Sequence, residues 1–277
     1  MFSTKIPASD SIDFKILFTD FDGTLFSESK SVSDADVRIL RQLGEQGIVR
    51  VIATGRSYFS IRKVIPADFP IDFIILSSGA GIMDWPSKRL LKSISIAPEL
   101  SRRLVHLFIK NDLSFFVHHP FPQNHLFYYF SADNVHADFK RRLKLYADIA
   151  RPIEQRPNHQ SASQFLLIES DSHHIRKLIA PYSARLNLIR ATSPLDGKSF
   201  WFEIFDAHVS KKQAGEWLCQ RLNIAQRYTM AVGNDYNDVD LLGWCAKSFV
   251  VTEAPESLRK NFDSVSRQNG SVLEGLF

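Results

Sequence analysis

Cysteine is nearly missing from this chain: there are two, Cys219 and Cys245, among 277 residues. Two thiols cannot build a disulfide framework or a zinc site, and they fit a reducing compartment. Glycine and proline are sparse at 12 each, which excludes collagen-like and low-complexity chains. No apolar run approaches the roughly 18 residues that span a bilayer, and the first turns of sequence hold no apolar stretch behind a basic start. A cytoplasmic protein with no membrane partner is therefore expected. Charge of one sign is also scarce, since 34 basic and 30 acidic residues leave only +4. That excess implies no nucleic-acid surface. The basic clusters at Arg141, Arg142 and Lys144 and at Lys211 and Lys212 are of a size that helix faces carry routinely and that a small anion would also explain.

What is present is apolar residue, 44% of the chain, beside 23% charged residue, the balance of a soluble globular protein. A length of 277 residues exceeds the roughly 100 to 200 of one domain, so two medium domains are expected. About three quarters of the unfolded surface can be buried at this size without cross-links.

The N-terminal part alternates strand and helix signals. Lys15 to Thr19 is a short apolar run that stops in DFDGTL; Ser33 opens a helix that closes at Gly47; Ile48 to Ala53 is a strand ending in Thr54-Gly55-Arg56; a helix pattern runs from Ser57 to Ile65; Asp72 to Leu76 is a third strand, ending in SSGA. This rhythm predicts an α/β, doubly wound parallel sheet with its site at the strand C-termini. After Asp84 the pattern changes to a hairpin around Pro86-Ser87, a helix from Pro98 to Lys110, and further short strands and helices of an α+β unit. The parallel rhythm resumes with a helix from Ser210 to Leu222 and a strand from Tyr228 to Val232 that ends in GNDYND. The expected organisation is a discontinuous core, 1–84 and 195–277, with a second domain inserted at 85–194.

Three strand ends carry polar groups that should share one crevice. Asp20 and Asp22, two apart, point to one side, and two close carboxylates need either a hard cation or a retained proton. Gly23 and Thr24 turn the chain beside them. Thr54 and Gly55 offer a hydroxyl and an open N–H at a helix start, which suits an anion. Asn234, Asp235, Asn237 and Asp238 bring oxygen donors to the same edge. Lys211 stands at a helix start, where the dipole does not favour it, so a charged ligand is its expected partner. Arg56 is open between a substrate contact and a structural ion pair. His118, His119 and His125 hint at a metal cluster, but Pro120 and Pro122 break any regular ligand spacing.

DFDGTLF, ATGR, VSKK and GNDYND, in that order, resemble the four motifs of the haloacid dehalogenase superfamily of phosphohydrolases, and the insertion resembles the C2 cap of its Cof-type sugar phosphatases. The resemblance implies a Rossmann-like core, an enzyme, a Mg²⁺ cofactor and a small phosphorylated substrate, with a sugar phosphate expected. It implies Asp20 as nucleophile, Asp22 as general acid and base with its carbonyl on the metal, Thr54 on the phosphoryl oxygens, and Lys211 as the neutralising cation. Gly23, Thr24, Gly55 and Arg56 would line the phosphate, and Asn234 would ligate the metal with Asp235 and Asp238 in support. The chain departs from the family pattern at Asn234, where Asp is usual, so the site loses a negative charge. Lys212 and the SSGA segment also depart, without removing a group the chemistry requires. A phosphotransferase or phosphomutase using the same aspartate, and a non-catalytic binding or sensory protein with a weakened metal site, are the alternative functions.

Overall fold

The computed structural model describes residues 13–26, 31–169, 172–193 and 200–277. The chain divides into two units, Met1–Lys92 with Ser210–Phe277, and Ser93–Val209.

The first unit is built on β1 (Ile16–Thr19), α1 (Asp34–Glu45), β2 (Val49–Ala53), α2 (Tyr58–Ile61), β3 (Phe73–Leu76), β4 (Gly81–Asp84) and β5 (Arg89–Ser93). All four residues of β1 are buried, the pattern of a strand covered on both faces. In α1, the Ser33 hydroxyl caps the helix by accepting from the Asp36 N–H at 3.0 Å, Asp34 and Asp36 complement the dipole in the first turn, and Ile39, Leu40 and Leu43 form the buried stripe.

The second unit holds α3 (Pro98–Lys110), β6 (Phe115–His118), β7 (Phe127–Phe130), α4 (Ala137–Leu145), β8 (Ala150–Pro152), β9 (Phe165–Ile168), α5 (Ser172–Ile179), β10 (Leu186–Thr192) and β11 (Phe200–Asp206). Its six strands run in the order β10-β11-β9-β6-β7-β8, with antiparallel pairs except β7 with β8. Strand periodicity sends Phe115, Val117, Phe165 and Leu167 into a core with Leu104 and Phe108 of α3, and Phe116, Leu166 and Ile168 into another with Phe139 of α4. The aromatic run of β7 is divided the same way, Phe127 to one core and Tyr128 to the other, with Tyr129 and Phe130 partly buried against them.

The chain then returns to the first unit through α6 (Lys211–Arg221), β12 (Thr229–Gly233), α7 (Val239–Trp244), β13 (Lys247–Val251), α8 (Glu256–Arg259), β14 (Asp263–Val265) and α9 (Leu273–Leu276). The eight-stranded sheet has the order β14-β13-β12-β1-β2-β3-β4-β5, parallel from β14 to β3, with β4 antiparallel to β3. β1 lies centrally, between β12 and β2, so three site-bearing strands are neighbours.

The observed boundaries differ from the expected insertion at 85–194. The hairpin strand β5 extends the larger sheet, which carries the first unit on to Lys92. β11 pairs with β10 and β9, which carries the second unit on to Val209. Residues 194 and 195, where the second boundary was expected, lie outside the described residues. No helix among the described residues is long and apolar enough to cross a membrane.

Candidate active site

The groups that form the site all belong to the first unit. At the end of β1 the Asp20 N–H still bonds the Val232 carbonyl of β12 at 2.9 Å, which fixes the backbone that carries the Asp20 side chain. The chain then tightens into a turn: the Thr24 and Phe26 N–H groups both donate to the Phe21 carbonyl, at 3.2 and 2.7 Å. Gly23 has φ +78°, and a Cβ there would lie 2.2 Å from Asn234 Nδ2, so conformation and space both demand glycine. Thr24 is fully buried, and its hydroxyl is 3.4 Å from Asn234 Oδ1.

Lys211 occupies the first turn of α6, which the Ser210 hydroxyl caps by accepting from the Gln213 N–H. Its side chain is wholly buried, and its Nζ donates at 2.6 Å to Asp20 Oδ1 and at 2.6 Å to Asp238 Oδ1. Asp238 Oδ2 accepts from the Asn234 and Asp235 N–H groups, at 2.9 and 3.1 Å. One carboxylate thus clamps both the lysine and the loop after β12. Burial pushes the Asp20 carboxyl up to about 8; Lys211 opposes that rise, while Asp238 and Asp22 add to it. Burial works to lower the Lys211 ammonium, but Asp20 and Asp238 outweigh it and hold it above the ordinary lysine value.

Thr54 is also wholly buried, tied to β3 by its N–H on the Ile75 carbonyl at 2.9 Å. The turn after β3 braces this loop, since the Ser78 N–H donates to the Thr54 carbonyl and the Ser77 N–H to the Arg56 carbonyl, both at 3.0 Å. Ser77 and Ser78 adopt φ +45° and +54°, conformations that non-glycine residues take where surrounding structure enforces them. Gly55 lies between this turn and the loop after β12: a Cβ there would be 3.7 Å from Ser78 Oγ and 3.9 Å from Asn237 Nδ2. The Arg56 Nε and Nη2 donate to both oxygens of Asp22, the closest contact being 2.6 Å, and the guanidinium lies over Phe21 and Phe26. The ion pair, one of the two roles expected of Arg56, is thus present.

The expected residues fall into two groups joined through the Asp20–Thr24 turn. Asp20, Lys211 and Asp238 form a buried triad, with Thr24 and Asn234 beside it; Asp22, Arg56, Thr54 and Gly55 line the adjoining strand end. Asp235 caps the short turn Tyr236–Asp238, its carboxylate accepting from the turn's backbone. Lys212 is not part of the cluster; its N–H bonds Asp240 and its ammonium faces Glu216. The histidines of the second unit have other partners: His118 Nδ1 is 2.8 Å from the Asn124 carbonyl, and His119 stacks on Tyr128. Arg267, which sequence reasoning missed, donates from Nη2 to the Gly23 carbonyl at 2.8 Å. No local pattern could reveal a contact across 244 residues.

The donor set suits a hard cation. Asp20 and the Asn234 amide offer oxygens from paired neighbouring strands, with Asn234 packed against the turn that carries Asp20. Among the described residues no three His, Cys, Asp or Glu side chains converge as a metal cage.

The sequence profile of haloacid dehalogenase-like hydrolases matches residues 17–275. Phosphatase YwpJ of Bacillus subtilis is 23% identical, covering 92% of this chain and 95% of its own. The structure of BT1666 from Bacteroides thetaiotaomicron, described among phosphatases of the haloalkanoate enzyme superfamily, superposes with a TM-score of 0.76 at 19% identity, over 98% of this chain and 96% of that one. The subclass IIB sugar phosphatase BT4131 gives 0.70 at 18% identity, over 91% and 93%. With a profile match over nearly its whole length and the polar strand ends in their expected order, the chain belongs to the haloacid dehalogenase-like hydrolase family of enzymes.

Proposed function

We propose that this hydrolase is a Mg²⁺-dependent phosphatase of a small phosphorylated metabolite, working through a phosphoenzyme on Asp20. The observation that carries the reading is the buried triad, in which Lys211 holds Asp20 at 2.6 Å at the mouth of a parallel sheet. A fully buried lysine beside a strand-end carboxylate is costly unless its charge is used, and a phosphoryl dianion uses it.

In the first step a carboxylate oxygen of Asp20 attacks phosphorus and the ester oxygen leaves, taking a proton from Asp22. In the second, water attacks the acyl phosphate, Asp22 takes its proton, and inorganic phosphate and the Asp20 carboxylate are released. Splitting the transfer in this way replaces one difficult displacement by two easier ones. Lys211 and the Thr54 hydroxyl would neutralise and orient the equatorial oxygens. In this structure Arg56 holds both Asp22 oxygens in a fork, so Asp22 would give up one of these contacts to carry the proton it donates. Asp20, the main-chain carbonyl of Asp22 and Asn234 would hold Mg²⁺, with Asp235 and Asp238 supporting that loop. The cation would add Lewis-acid neutralisation of the phosphoryl oxygens.

The sugar phosphatase among the similar structures supports a sugar phosphate as substrate. A reducing, cytoplasmic setting suits the two free cysteines. Hydrolysis of an aryl phosphate with and without Mg²⁺ tests the reading: activity should require the metal and vanish in Asp20→Asn. Wild-type turnover in that variant would exclude the phosphoenzyme. Transfer of phosphate to an added sugar, in place of release to water, would mark a phosphotransferase.

A further inference from the structure

The charges around Asp20 bear on how a cation is retained before substrate arrives. Four carboxylates reach the strand ends, and each already has a partner. Asp238 gives Oδ1 to Lys211 and Oδ2 to two backbone N–H groups. Asp22 is chelated by Arg56. Asp20 shares the Lys211 ammonium through Oδ1. Asp235 spends its carboxylate on the turn that follows. Lys211 and Arg56 thus offset two of the four negative charges, Asp235 and Asp238 are turned to backbone N–H groups, and the position pressed against Gly23, Asn234, brings a neutral amide. Consistent with that count, no three acidic, histidine or cysteine side chains among the described residues form a cage. Mg²⁺ dehydrates reluctantly and is commonly held by one or two carboxylates together with substrate phosphate oxygens.

We infer that the cation and the phosphoryl dianion enter this site interdependently, because neutral Asn234 leaves the empty crevice too weakly negative to retain Mg²⁺ alone. The inference rests on the phosphatase reading and adds a binding order to it. The phosphate oxygens supply the missing charge and ligands. Asn234 spares the incoming dianion a repulsion that aspartate would impose, so the anion can be admitted first. Linkage requires the effect to be reciprocal: phosphate tightens Mg²⁺ by the factor by which Mg²⁺ tightens phosphate.

Calorimetric titration of the full chain with Mg²⁺ alone, inorganic phosphate alone, and each in the presence of the other tests this without turnover. For the wild type, Mg²⁺ alone should fail to saturate in the low millimolar range, and saturating phosphate should tighten it at least tenfold. Asn234→Asp, shown by circular dichroism to be folded, should bind Mg²⁺ without phosphate at least tenfold more tightly than the wild type, and metal-free phosphate more weakly. Equal wild-type Mg²⁺ affinity with and without phosphate would overturn the inference, and so would a folded Asn234→Asp with unchanged Mg²⁺ affinity. If either result comes with Mg²⁺-dependent hydrolysis intact, the binding order falls and the phosphatase stands. Failure of Mg²⁺ and phosphate to bind even together, with no hydrolysis, removes both.

Discussion

Lys211 sits where helix electrostatics opposes it and where burial opposes it, yet it is the most enclosed charged side chain of the site. Two carboxylates at 2.6 Å compensate, so the lysine and its partners stand or fall together. Lys211→Met should leave two buried acids facing each other and cost about 3 to 5 kcal/mol of stability. It should also lower aryl phosphate turnover by at least about a hundredfold, the scale of losing one positioned charge. Urea unfolding monitored beside activity checks both. A loss of under about 1 kcal/mol would mean that the triad is not the buried ion cluster described. The sequence pointed to this lysine through its unfavourable place at a helix start. It did not disclose that Asp238 would hold it, because that contact depends on how the loop after β12 folds back on itself.

Among elements, the turn after β3 has the most demanding geometry. Gly79 has φ +113°, and a Cβ there would be 2.3 Å from the Ser210 carbonyl, the backbone that leads into Lys211. Gly79→Ala therefore meets strain and a backbone clash at once, and should cost about 3 kcal/mol or more while displacing the start of α6. Gly47→Ala is the internal control: φ is +76° with nothing within 4 Å, so only conformational strain of about 1 to 2 kcal/mol is expected. Thermal melts of the two variants should rank Gly79→Ala as the more destabilised, and only that variant should lose turnover. Equal effects would show that the approach to Ser210 does not matter. Elements with a clear period were legible from sequence, as with α3 at Pro98–Lys110 and α7 at Val239–Trp244. β8 and β14 were not, since three residues are too short to show a period, and α8 and α9 are single turns. β11 was missed for another reason. Its run, FWFEIFD, is apolar on both faces because both are covered by cores, so it lacks the alternation that marks a half-buried strand.

At the scale of the whole molecule, two buried groups with large opposite displacements give the metal-free protein a calculable response to pH. His118 is pushed down to about 3, first by burial and then by Arg142, and its neutral ring fits the Asn124 carbonyl on Nδ1 and Arg142 near Nε2. Its folded value lies below its ordinary 6.5, so between about 3 and 6.5 the unfolded chain binds the extra proton and stability falls as pH falls. Asp20 runs the other way. Burial lifts it from 3.8 to about 8, so across that window the folded chain binds the extra proton and stability falls as pH rises. Between 3.8 and 6.5 the two slopes oppose and largely cancel. Above 6.5 the Asp20 slope is no longer opposed by His118, so stability should decline from pH 6.5 to 8. Urea unfolding of chelator-treated protein at pH 5, 6.5 and 8 should therefore show a shoulder followed by a decline. Asp20→Asn should flatten the alkaline decline, and His118→Gln should remove the acid-side protonation, which leaves stability rising as pH falls from 6.5 toward 4, because folded Asp20 holds a proton that the unfolded chain still lacks. Mg²⁺ with phosphate should suppress the alkaline decline, because a bound cation favours the ionised Asp20 that burial disfavours. A wild-type profile flat from pH 6.5 to 8 without metal would mean that Lys211 already holds Asp20 ionised in the folded chain.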